Sequence, residues 1–334
     1  MRLRSLLAAA VLTAAPHAVL AWGSTGHRII GRLAIEALPA DLPAFLRSRA
    51  AAEAIGELAR EPDRWRGAGR IHDADRDPGH FVDVDDAGKV MGGPALASLP
   101  ITRESYESSL REAGSSAWKA GYLPYSIVDG WQQLAKDFAY WRAAKAGAKL
   151  TANPAHRAWL ADDATRREEL ILRDLGVLGH YVGDGSQPLH VSVHFNGWGP
   201  GPNPDGFTED KMHAYFEGEF VRDYVSAEAV RAAMTPYRDC HCPIETRAAD
   251  YLAMTQGMVT PLYRLWKAGG FENGDARGRA FAAQRLAAGA DELRDDVIEA
   301  WNASAVADVG WPAVKVADVL AGKTDPFDAL YGTD

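Results

Sequence analysis

The sequence predicts an all-α fold, a single compact multi-helix domain whose connecting loops are long and ordered. Three observations carry this. Apolar residues recur at intervals of three and four over most of the chain, alternating strand patterns are scarce, and Gly, Pro and Asp concentrate in 61–100 and 186–210. In order, the helical periodicity covers "HRIIGRLAIEAL" (27–38), "SIVDGWQQLAKDFAYWRAAKAG" (126–147) and "ADDATRREELILRDLGVLGHYVGD" (161–184). It continues through "HAYFEGEFVRDYV" (213–225), "RAADYLAMTQGMVTPLYRLWKAG" (247–269) and "RAFAAQRLAAGADELRDDVIEAWNAS" (279–304). Asp162 or Asp163 is placed to cap the third helix, and Gly185 with Pro188 to close it. Loops as long as the two Gly/Pro/Asp-rich stretches are uncommon inside a domain unless they serve function.

At 334 residues and 47% hydrophobic composition, the chain can bury a substantial core, and no repeat or flexible linker divides it. The first 21 residues, "MRLRSLLAAAVLTAAPHAVLA", place Arg2 and Arg4 before a short Leu/Ala run and end in small residues at Val19 and Ala21. That is the layout of a secretory signal peptide, and it implies a mature domain spanning 22–334, secreted or periplasmic. Cleavage after Ala21 exposes Trp22 as the first residue. The formal charge of −9 becomes −11 once Arg2 and Arg4 are gone, so a general basic surface for nucleic acid is excluded. An anionic substrate then has to be captured locally, which a bound cation can do. Cys240 and Cys242, the only cysteines, flank His241. They provide no disulfide framework and read as an exposed loop feature, oxidised or not.

The histidines sharpen the picture. His180 and Asp184 are four apart on one helical face, with His190 following, and His213 and Glu217 repeat the four-residue interval. One such pair alone reads first as a surface ion pair. Two pairs with a further histidine fit a metal site, and mixed His/carboxylate donors suit zinc. The new N-terminus, "WGSTGH", adds a free α-amine, which loses its proton to a metal at modest cost, five residues before His27.

On these residues the chain resembles the superfamily of trinuclear-zinc phosphodiesterases, which includes the type I single-strand nucleases and the bacterial zinc-dependent phospholipases C. The resemblance implies nine metal-binding positions in order: Trp22 through its amine and carbonyl, His27, Asp63 in "DRWR", His80 in "GHFVD", His180, Asp184, His190, His213 and Glu217. It implies three zinc ions. Asp184 would bridge one shared with Asp63, His80 and His180 to one shared with Trp22 and His27, while His190, His213 and Glu217 would hold the third. Asp63, Arg66 and Asp184 would then form the reacting centre. A water bridging two zincs would lose its proton near neutral pH and attack a phosphodiester, with Arg66 contacting the phosphate.

The two branches share this metal core, and the substrate rests on finer features. The Trp22–His27 spacing, Phe81 and Asp83 in "HFVD", and the late segment "QRLAAGADEL" resemble the nucleases, in which the Phe81 and Asp83 positions stack on a base and bond to its edge. Single-stranded DNA and RNA are the expected substrates. The stretch "HFVDVDDAGK" and the final ligand Glu217 resemble the phospholipases C, and "GYLPYSIVDG" departs from the nuclease pattern. A non-catalytic exported zinc-binding protein is a third reading, although it has no use for Arg66. His194 is expected at a loop or rim, His72, His156 and His241 in solvent, and Trp198 near the cleft. Asn302-Ala303-Ser304 is a glycosylation sequon by letter only.

Overall fold

A computed structural model describes residues 22–199 and 201–332. The expected leader, residues 1–21, lies outside them. Among the described residues, nine helices of seven or more residues carry the architecture: α1 (Gly23–Glu36), α2 (Arg49–Leu58), α3 (Arg103–Glu112), α4 (Leu123–Leu150), α5 (Pro154–Ser186), α6 (Ala227–Ala233), α7 (Ile244–Gln256), α8 (Val259–Lys267) and α9 (Ala276–Ser304). α4 and α5 form an extensive helical hairpin, closed by a three-residue turn, and α1, α2, α7 and α9 pack around it. The all-α expectation is met. Among the described residues the one sheet is a short hairpin, β1 (Asp308–Val309) with β2 (Val314–Lys315), paired antiparallel. Two-residue strands leave no alternation to detect in sequence.

Why these residues form these helices is clearest in α5. Leu160, Ala164, Ile171, Leu175, Leu178 and Val182 are all buried and fall three, four or seven apart, on one face. Each buried Leu, Ile or Val stabilises the fold by roughly 1.5–3 kcal/mol, which fixes which side of the helix faces inward. The helix starts earlier than the expected Asp162/Asp163 cap. Asn153 Oδ1 accepts from the amides of Ala155 (2.9 Å) and His156 (3.4 Å), with Pro154 in the first turn. Asp163 sits mid-helix, its carboxylate 3.3 Å from Arg166 and 3.5 Å from Arg167.

Two more elements differ from expectation for local reasons. The 247–269 segment breaks into α7 and α8 at Gly257–Met258. The break places Pro261 in the first turn of α8, where its missing N–H costs no helical bond. The 213–225 helix contains a π-helical stretch, Tyr215–Phe220, between α-helical turns. Such stretches are frequent at functional sites.

Small residues let the helices approach closely. At the α1–α2 crossing a Cβ on Gly31 would lie 3.1 Å from Ile55 O, and one on Gly56 3.1 Å from Arg28 O. Along α5, Gly176, Gly179 and Gly183 face Leu58, Leu293 and His27 in turn. This stripe seats α5 close against α1, α2 and α9, and it brings His27 up to the C-terminal turns of α5.

On the far side of α9, Arg247 of α7 is buried among four carboxylates. Its guanidinium lies 2.8 Å from Glu292, 3.4 Å from Asp295, 3.1 Å from Asp296 and 2.6 Å from Glu299. Arg294 pairs with Asp295 at 2.6 Å, which leaves Arg247 to face the other three, and burial pushes Glu292 up to about 7 and Asp296 well above the usual carboxylate range. An acid whose folded pKa is raised stabilises the fold below its unfolded pKa, and that contribution is lost as pH rises through the folded value. Asp296→Asn should therefore gain stability relative to the parent between about pH 5 and 8, by no more than about 1.4 kcal/mol per pH unit. Urea midpoints of both chains across that range test this. A difference independent of pH would mean that Asp296 is ionised throughout.

Candidate metal centre

α5 carries the centre of the site. His180 and Asp184 lie on adjacent turns, both with no solvent exposure. Asp184 stands in the last turn of a 33-residue helix, where the helix dipole is negative and disfavours an anion. A buried carboxylate there requires cationic partners. Its two oxygens face different neighbours. Oδ2 lies 3.1 Å from His80 Nδ1 and 3.3 Å from His180 Nε2, whereas Oδ1 lies 3.4 Å from His27 Nε2. Asp184 thus stands between two sets of donors.

The donors arrive from separate elements. His27 belongs to the second turn of α1 and stacks on His180, ring centroids 4.1 Å apart. Asp63 lies in the short helix Glu61–Arg64 that follows α2, and His80 ends the 3₁₀ turn Asp77–His80. His190 ends a second 3₁₀ turn, Pro188–His190, just beyond α5. His213 and Glu217 come from the segment containing the π stretch, with Nε2 and Oε2 2.7 Å apart. His190 Nε2 lies 3.5 Å from the same Glu217 oxygen.

Three groups result whose donor atoms lie within 4.8 Å of one another: His27, His180 and Asp184; Asp63, His80 and His180; His190, His213 and Glu217. All eight side chains expected as ligands fall into them. His180 joins the first two groups, so it is nearer to His27 than the expected division implies. Trp22 is absent from these groups because its expected donors are main-chain atoms. Its indole Nε1 donates to Ser186 Oγ at 2.7 Å, its ring packs on Phe216, and a Cβ on Gly23 would sit 3.3 Å from Glu217 O. The start of α1 is therefore fixed beside both the end of α5 and the Glu217 turn.

The donor set fits divalent cations. His27 Nδ1, Asp63 Oδ1, His80 Nε2, His213 Nδ1 and Glu217 Oε1 are buried with no hydrogen-bond partner. Buried polar atoms are rarely left so, and this many in one region calls for a ligand. Outer contacts aim the rings. His180 Nδ1 donates to Ala59 O at the end of α2 (2.9 Å), and His190 Nδ1 to His80 O (2.6 Å), turning each Nε2 toward the carboxylates.

Electrostatics agree. Burial lowers His27 and His80 and favours their neutral forms, with lone pairs open to a metal. Burial also opposes the charged forms of Asp184 and Glu217, yet His180 and His213 head the cations that outweigh it, leaving both carboxylates below their ordinary values. His190 is opposed by burial but pushed up to about 9 by Asp184 and Glu217. Metal binding must displace that proton.

Arg66 stands at the edge of the site, its Nε donating to Asp77 Oδ1 at 2.8 Å and a guanidinium nitrogen 3.5 Å from Asp63. Phe81 follows His80 and is half-buried, its ring against Gly121, where φ is +75° and a side chain would collide. Asp83 is almost fully buried, and its carboxyl is pushed up to about 7 by burial, with His190 opposing. His194 lies in a loop, as expected, but is buried there and stands at no rim. It stacks on Trp198 at 3.8 Å and bonds to Asp86 at 3.0 Å, and Trp198 in turn donates to Pro202 O (3.0 Å) and Thr208 O (2.7 Å). Of the remaining histidines, His241 is exposed, whereas His72 is half-buried and His156 stacks on Phe327.

Two site residues escaped sequence reading. Gln187 Oε1 accepts from Leu189 N (2.9 Å), which directs its Nε2 to Glu217 Oε2 at 3.3 Å. Ser186 donates to Gly183 O at 2.8 Å while accepting the Trp22 indole. The polar pair "SQ" inside an apolar helix end is the signal for both. Gly183 matters for a different reason: a Cβ there would lie 2.9 Å from His27 Nδ1. Gly183→Ala should displace His27 and release the metal held by its group while helicity stays intact. Metal analysis beside circular dichroism checks this, and full metal content would show that His27 has room to move.

No family model matches the chain, and no curated protein matches it. Among the described residues no helix is long and apolar enough to cross a membrane.

Proposed function

We propose that this chain is a zinc-dependent phosphodiesterase of the trinuclear-zinc superfamily, acting on single-stranded DNA and RNA after export. One observation carries the metal-dependent part: Asp184 divides its oxygens between two buried donor groups, with a third group adjacent. His and carboxylate donors suit zinc. Bound there, zinc supplies Lewis-acid stabilisation of phosphoryl charge and acidifies water.

The chain's own residues do the rest. Asp63, Asp184 and Glu217 provide the negative charge that retains the cations, and the histidines fix their positions. Arg66, held by Asp77, offers positive charge where negative charge builds on the phosphoryl oxygens in the transition state. Phe81, half-buried beside His80, is the candidate stacking face for a base, and Asp83, two residues on, the candidate contact to its edge. Single strands are favoured because a duplex must unstack before a base reaches Phe81.

The mature protein should hydrolyse single-stranded nucleic acid faster than phosphatidylcholine, and chelation should abolish both activities. The reverse preference favours a phospholipase C, a reading supported by Glu217 as the last ligand. No turnover of either substrate, or of a simple aryl phosphodiester, would leave a zinc-binding protein. Phe81→Ala should lower kcat/KM on single-stranded nucleic acid by about 1–3 kcal/mol of transition-state stabilisation. It should leave an aryl phosphodiester nearly unchanged. Equal losses on both would reduce Phe81 to packing beside His80.

A further inference from the structure

The metal centre leaves one motif unused, "CHC". Cys240 and Cys242 are joined by a disulfide across His241. The loop that carries them runs along α9 and is fastened at short intervals by other bonds. Thr235 donates through both N–H and hydroxyl to Asp291 Oδ2, each at 2.8 Å. The amide of Arg238 donates to Asp295 (3.2 Å) and that of Cys240 to Glu299 (3.3 Å). Arg247 adds bonds to Arg238 O and Glu299. The loop is anchored without help from the disulfide.

The disulfide itself gives the fold little. Closing a ring across one residue removes few conformations from the unfolded chain, and the entropic stabilisation by a cross-link grows with loop length. It also carries a local cost. His241 is held at φ +52°, the left-handed region that a non-glycine residue seldom adopts. Its imidazole is 84% exposed, 3.1 Å from Asp239, and both cysteines are partly open to solvent. A bond that is accessible, strained in its backbone and unnecessary to its loop is suited to reaction.

We propose that Cys240–Cys242 is a thiol–disulfide exchange site that oxidises dithiols, an activity separate from phosphodiester hydrolysis. One thiolate of the dithiol attacks a cysteine sulfur, the S–S bond breaks, and the other cysteine leaves as a thiolate and takes up a proton. The second thiol of the reagent loses its proton and attacks the mixed disulfide. The reagent departs as a disulfide and the first cysteine becomes a thiol. Two electrons pass from the dithiol to the cysteine pair, and His241 is freed from its left-handed conformation.

The test exposes the folded mature protein to dithiothreitol, and separately to a peptide with two free cysteines, then quenches with acid, alkylates and weighs the chain. Expected is the addition of two alkyl groups, with the folded protein reacting at least as fast as the same chain unfolded in urea. Reaction with dithiothreitol alone supports the site and restricts it to small dithiols. A bond that reacts only after unfolding overturns the proposal. A second measurement guards against a structural role. The Cys240→Ser, Cys242→Ser double variant should keep its Tm within about 2 °C and its phosphodiester turnover unchanged. A larger fall in Tm would make the disulfide a staple and end the proposal.

Discussion

Asp184→Asn should strip metal from the His27–His180–Asp184 group and from its neighbour, whose His80 faces Asp184 Oδ2, and lower kcat/KM by at least the roughly 10²–10³-fold that loss of one preorganised electrostatic contact costs. The reason is geometric. Asp184 has no solvent exposure, and its oxygens lie 3.1–3.4 Å from His80, His180 and His27. Asparagine keeps the shape and removes the charge, so cations bound on either side of it would repel across a dry gap. His213→Ala makes the contrast. His213 belongs only to the group with His190 and Glu217, so its loss should empty that group and spare the other two. Metal content after dialysis, read side by side, decides the matter. Equal metal in the two variants would remove Asp184 from any shared position.

The second large effect is expected at the N-terminus. A chain beginning at Trp22 should bind more zinc than one beginning Met-Trp22, and most activity should go with the difference. An α-amine titrates near 7.7–8.0 and yields its proton to a metal, whereas a peptide nitrogen does not coordinate in that way. The fold holds Trp22 in place: its indole is bonded to Ser186, its ring lies on Phe216, and Gly26 leaves room, since a Cβ there would sit 2.8 Å from Trp22 Cβ. Because bound metal stabilises only the folded state, the extended chain should also melt earlier. Equal zinc content and equal rates in the two chains would exclude the amine as a donor.

Much of the candidate site is legible in the sequence. The four-residue intervals His180–Asp184 and His213–Glu217 follow from helical pitch, and both pairs do lie together. His27, Asp63, His80 and His190 carry no such local signal. Asp63 and His80 are marked by resemblance alone, His190 and His27 also by their places after the first pair and after Trp22, and the convergence of all four depends on chain segments far apart in sequence. The missed features are those that no local pattern encodes. Asn153 displaced Asp162 and Asp163 as a cap because the periodicity already runs through Leu160. The π stretch at Tyr215–Phe220 differs from an α-helix by one hydrogen-bond register, which leaves apolar spacing almost unaltered.

By itself, the sequence determined that the chain is helical, where its long helices run, and which side chains suit a metal. Those properties depend on periodicity and donor chemistry, which are local. Tertiary structure alone decided that Asp184 faces His27 with one oxygen and His80 with the other, that Gly183 clears space for His27, and that Ser186 and Gln187 steady Trp22 and Glu217. It also set the buried Arg247 cluster beside the Cys240–Cys242 loop. Each of these is a contact between elements distant along the chain. Close packing of helices fixes such contacts to within an ångström, and helical periodicity carries no record of them.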